Sequence, residues 1–124
     1  MGIPTPAEQP RMQIQQSSRD GVAIVSPRGR IDTTTSGAVE DTIRHVVDSG
    51  VRNLIVDLSG VEYISSAGLR VFLVLAKRMR DLRGKLVLSG MTEPVRQVFQ
   101  LAGFMALFLV EPTQDSAFAT FTRA

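Results

Sequence analysis

Apolar and polar positions alternate along residues 12–17, with Met12, Ile14 and Gln16 on one side and Gln13, Gln15 and Ser17 on the other. That is the period of a half-buried β-strand. Arg19-Asp20-Gly21 is a turn signal, and a second strand is expected over residues 22–31. Pro27 falls inside it and removes a ladder donor, which calls for an edge position or a bulge nearby. The period then changes. From about Thr35, residues Val39, Ile43, Val46 and Val47 form one apolar helical stripe. Several Ser and Thr residues can cap its start. Glu40 and Arg44 are spaced to pair on the wet face, and Gly50 stands where a left-handed cap would stop the helix.

Leu54-Ile55-Val56 and Leu58 are almost wholly apolar, the pattern of a strand covered on both faces. Ser59-Gly60 turns the chain, and residues 61–64 continue it. A second helix is expected from Ser66 to about Arg83, ended by Gly84. Its first half is apolar on nearly every side, which predicts a central, buried helix. Leu86-Val87-Leu88 reads as another buried strand. Thr92 reads as an N-cap with Pro94 in the first turn. Val95, Val98, Phe99 and Ala102 make a third stripe, closed by Gly103. Residues 107–110 predict a last strand, and Asp115 a cap for a short final helix carrying Phe118 and Phe121. The order β-β-α-β-α-β-α-β-α predicts an α/β fold. It has a central, mostly parallel sheet of about five strands with an antiparallel edge hairpin, packed by four helices. Residues 1–11, with three prolines at 4, 6 and 10, read as a flexible N-terminal tail, and 12–124 as a single domain.

A chain of 124 residues supports one hydrophobic core. It has no cysteine, so disulfides, thiolate metal sites and a cysteine nucleophile are excluded. The start lacks the build of a signal peptide. The longest apolar run, residues 71–76, is broken by Lys77 and Arg78, far short of the roughly 18 residues a membrane span needs. These features fit a cytoplasmic protein. Net charge is +2. The densest basic group, Lys77, Arg78, Arg80, Arg83 and Lys85, falls at the end of a predicted helix, where cations complement the macrodipole. Neither nucleic acid nor membrane is expected as a partner.

Few residues suggest catalysis. His45 is the one histidine, and no G-x-S-x-G elbow surrounds any serine. Neither a P-loop nor a G-x-G-x-x-G turn occurs. The carboxylates are scattered without metal-ligand spacing. The expectation is a protein that is not an enzyme and holds no cofactor, metal or stable ligand. Ser65-Ser66-Ala67-Gly68 remains, and two roles are open for it. A serine before a helix caps the first turn, and Gly68 allows close packing. Alternatively, the loop lies at the carboxyl edge of the sheet, where open α/β sheets place their sites. A phosphate there would be tolerated by the helix N-terminus, while a partner packed on that surface would meet a desolvated charge.

Residues 56–70, reading VDLSGVEYISSAGLR, resemble the signature of the bacterial anti-sigma factor antagonists of the STAS domain family. Residues 22–32, ending Arg28-Gly29-Arg30-Ile31-Asp32, are similar to that family's strand leading to Gly-x-[Leu/Ile]-Asp, and residues 85–104 match its strand and Pro-containing helix start. The resemblance extends over roughly residues 12–123. It implies a STAS-like fold and partner switching. The unmodified antagonist binds an anti-sigma factor serine kinase and so releases the sigma factor. The kinase, using ATP and Mg²⁺, phosphorylates the antagonist, which then lets go. A PP2C-like phosphatase resets it. The family's acceptor corresponds to Ser66, with Ser65 as the alternative, and Asp32 corresponds to an acidic residue near it. The implied partner-binding set is Asp32, Ser65, Ser66, Ala67, Gly68 and Arg70. Ser65 stands where the family often has Asp, and Ala67 where it often has Ser or Thr. The alternative within the same fold is a non-phosphorylated STAS scaffold or a subunit of a transport or signalling complex.

Overall fold

The computed structural model describes residues 12–122, so the tail expected over residues 1–11 lies outside the described residues. Strands β1 (Met12–Arg19) and β2 (Val22–Ile31) pair antiparallel through a two-residue turn. Asp20 and Gly21 both have positive φ there, 50° and 83°. That is the conformation whose twist matches a hairpin. After α1 (Ser36–Asp48), strand β3 (Asn53–Asp57) pairs parallel with the first half of β2, through Ala23, Ile24 and Val25. The chain then breaks. The Asp57 carboxylate accepts from the Ser59 N–H at 3.0 Å, and the Leu58 carbonyl accepts from the Val61 N–H at 2.9 Å. This local turn ends the β3 ladder. Strand β4 (Val61–Ile64) resumes beside the second half of β2, at Gly29, Arg30 and Ile31. The segment 54–64, expected as one strand continued past a turn, therefore yields two strands, and the sheet has six strands rather than about five.

Pro27 lies inside the sheet, not at an edge, since β2 has β1 on one side and β3 and β4 on the other. It is buried between Val25, the last residue paired with β3, and Gly29, the first paired with β4. The expected bulge is present at Gly29/Arg30, where the register shifts. Beyond β3 the order continues through β5 (Lys85–Ser89) to β6 (Leu109–Glu111), all parallel. Strand β6 is shorter and later than the pattern predicted, because residues 105–107 form a 3-10 turn.

Alternation across the sheet feeds two cores. Leu54, Val56 and Leu88 face α1, α2 (Ser66–Asp81) and α3 (Glu93–Leu101), while Ile55 and Val87 face α4 (Gln114–Thr122) with Val22, Ile24 and Phe118. Helix α2 is not buried all round. Gly68, Leu69, Val71, Phe72, Leu75 and Met79 face inward, and Val74 is 50% exposed. Its end also differs from expectation. Arg83 takes the left-handed conformation, φ 58°, and Gly84 is required for space. A Cβ on Gly84 would lie 2.7 Å from the Arg52 carbonyl oxygen and from Met79 Cε. On α1, Arg44 pairs with Asp41 rather than Glu40. On α4, Thr113 provides the cap in place of Asp115, its Oγ1 accepting from the Ser116 N–H at 2.9 Å. No helix among the described residues is long and apolar enough to cross a membrane.

Candidate functional site

Strands β2 and β4 end side by side, with Ile31 in register with Ile64. The Ser65 N–H donates to the Ile31 carbonyl at 2.8 Å. This bond ties the residue before Asp32 to the residue before Ser66 and sets the two loops together at one edge. Gly68 makes the approach possible. A Cβ there would lie 2.7 Å from both Ile31 Cγ2 and Ile64 Cγ1. Gly68 is buried, Ala67 half-buried, and Ser66 and Arg70 exposed.

The two serines have different jobs. Ser65 is extended and serves as the N-cap of α2, its Oγ accepting from the Gly68 N–H at 3.4 Å. Ser66 is the first residue of the helix, and its hydroxyl has no hydrogen bond within the fold among the described residues. The capping role and the free surface hydroxyl, both open from sequence, are thus divided between neighbours.

The Asp32 loop is held by its own threonines. Asp32 Oδ1 accepts from the Thr34 N–H at 2.9 Å and from the Thr34 hydroxyl at 2.7 Å. Thr35 Oγ1 accepts from the Asp32 N–H at 2.9 Å and donates to the Arg30 carbonyl at 2.6 Å. Thr35 is buried and stands at the N-cap position of α1, but its side chain makes no cap bond to the helix. Hydrogen bonds from Thr34, with smaller help from Thr35, hold the Asp32 carboxyl below its ordinary value. Asp32 is therefore a fixed negative charge at neutral pH.

Sequence reasoning missed two neighbours of this edge. Arg30 stacks over the ring of Tyr63, 4.4 Å from its centre, and Tyr63 is exposed. Their pairing across β2 and β4 became visible only with the register. Thr35 was read as a candidate cap, and the Asp-Thr-Thr-Thr run was the one sequence signal of a self-bonded loop. His45 is exposed on the last turn of α1. Of the basic group, Arg78 pairs with Asp48, and Lys85 donates to the Thr120 carbonyl and stacks on Phe121. No group of three or more His, Cys, Asp or Glu among the described residues could hold a metal.

The STAS domain family model matches residues 13–117. A protein of Bordetella bronchiseptica, BtrV, provisionally named an anti-sigma factor antagonist, is 36% identical over 91% of this chain and 97% of its own. The crystal structure of an anti-sigma factor antagonist from Mycobacterium paratuberculosis superposes with a TM-score of 0.81 at 29% identity, over 88% of this chain and 92% of that one. The Bacillus cell fate determinant SpoIIAA in its phosphorylated form has the same fold, with a TM-score of 0.69 at 16% identity over 88% of this chain and 99% of that one.

Proposed function

The chain belongs to the STAS domain family, and from that premise we propose that it is an anti-sigma factor antagonist that switches partners through Ser66. In its unmodified form it binds an anti-sigma factor serine kinase in the bacterial cytoplasm and so frees the sigma factor. Phosphorylation of Ser66 ends that binding, and a PP2C-like phosphatase restores it. The chain itself is the substrate and regulator in this cycle, not the enzyme.

The observation that carries the reading is the division of labour between the serines. Ser65 caps α2, so Ser66 offers a solvent-exposed hydroxyl that the fold does not use. Transfer forms a bond between Ser66 Oγ and the γ-phosphorus of ATP and breaks that phosphorus's bond to the bridging oxygen. ADP leaves, and the hydroxyl proton passes to a base on the kinase. The product dianion sits beside the unsatisfied N–H groups of the first turn of α2, which favour it. It needs no rearrangement of the core. A partner seated over Asp32, Ser66 and Arg70 meets an added charge of about −1.5 to −2 in a desolvated interface, and the complex dissociates.

Incubation with the anti-sigma factor kinase of the same cell and Mg-ATP tests this. The expected result is a gain of one phosphate by intact mass, mapped to Ser66, with loss of co-elution with the kinase. If Ser66→Ala gained phosphate as fully as the parent, the assignment of the acceptor would be wrong.

A further inference from the structure

Arg70 lies one turn along α2 from Ser66, and both side chains are exposed. Residues four apart are neighbours on a helix surface, with Cβ atoms roughly 5–6 Å apart. The Cα–Cβ bonds of a helix lean toward its N-terminus, so a long side chain at position 70 covers the preceding turn, where Ser66 sits. Arg70 is uncommitted. The ion pairs among the described residues join Arg19 to Asp115, Arg44 to Asp41 and Arg78 to Asp48, and Arg70 is in none of them. Arg30, the other cation of this edge, is stacked on Tyr63. Of the edge's acids, Asp32 has one carboxylate oxygen engaged by Thr34, and Glu62 is exposed on β4.

We propose that a phosphate on Ser66 is gripped by Arg70 of the same helix, so that modification withdraws a cation from the docking face as it adds a dianion. This rests on the reading of Ser66 as the acceptor. The planar guanidinium can meet two phosphate oxygens at once, the geometry in which arginine outperforms lysine. A partner carboxylate that faces Arg70 in the unmodified protein loses its counter-ion at the moment the phosphate arrives. Dissociation then has two electrostatic causes, repulsion by the dianion and loss of an attractive cation. The serine–arginine spacing of four is what couples them.

The test uses the whole chain with phosphoserine installed at position 66 by genetic encoding, so that no kinase is needed. The second ionisation of the phosphate, about 6 in an unperturbed phosphoserine, is followed by ³¹P NMR titration. Arg70→Gln should raise it by roughly half a pH unit. Arg70→Lys should recover part of that shift, and Lys77→Gln, about three turns along α2 from Ser66, should leave it unmoved. The difference should shrink in about 1 M salt. The same ionisation in parent and Arg70→Gln overturns the proposal. A kinase that ignored Ser66 would instead sink the functional reading, and this titration would still decide the role of Arg70.

Discussion

Single residues set the clearance and charge of the site. Gly68 has no room for a methyl group against Ile31 and Ile64, so Gly68→Ala should cost about 1–3 kcal/mol in urea unfolding. Ser65→Ala removes the cap of α2 and should cost about 1 kcal/mol, whereas Ser65→Asp keeps a capping oxygen and should restore it. Ser66→Asp places a charge beside the N-terminus of the helix without touching the core, so thermal stability should hold or rise slightly. Asp32 has a pH signature. Its carboxyl is held below the ordinary 3.8 in the folded chain, first by Thr34. The unfolded chain therefore takes up that proton more readily. The stabilisation is complete above 3.8 and disappears as pH falls through the lowered value. The gap in melting temperature between the parent and Asp32→Asn should be open at neutral pH and close in acid. These roles were legible in part. The serine motif and Asp32 stood out in the sequence, and the Asp-Thr-Thr-Thr run hinted at the local Thr35 bonds, but the Arg30–Tyr63 stack depends on a register that no local pattern encodes.

Among the elements, α2 shows how a helix can mislead. Its run of Val, Phe, Leu and Ala reads as apolar on all sides, yet one face meets the sheet and Val74 looks outward. Hydrophobic composition names candidates for burial, and the neighbours decide which are covered. Leu75→Ala should cost about 2–5 kcal/mol in chemical denaturation. Val74→Ala, one position away, should stay within about 0.5 kcal/mol. The end of the helix teaches the same lesson. A glycine after a helix suggested the left-handed cap, but Arg83 takes that conformation and Gly84 yields space to Arg52 and Met79. The turn at Ser59-Gly60 was legible in the sequence, but the pairing of the two segments as separate strands beside different halves of β2 was not, because that depends on sheet register.

For the whole molecule, helix and strand order, parallel pairing and the stops at Gly50 and Gly103 followed from periodicity. Which strand lies beside which did not, because pairing partners are chosen by three-dimensional packing. The order β1-β2-β3-β5-β6 places β2, β3 and β5 inside and β1 and β6 at its ends. Hydrogen exchange should accordingly be slowest in β2, β3 and β5 and fastest in β1 and β6. The bond from the Ser65 N–H to the Ile31 carbonyl joins two main-chain atoms. Barring proline at position 65, side chains at 32, 65, 66 and 70 can all be exchanged without removing it. Chains that share this bond can therefore diverge in the side chains they present at this edge while the frame that presents them stays constant. On the function proposed above, parallel circuits built on this frame would be insulated from one another by surface substitutions alone.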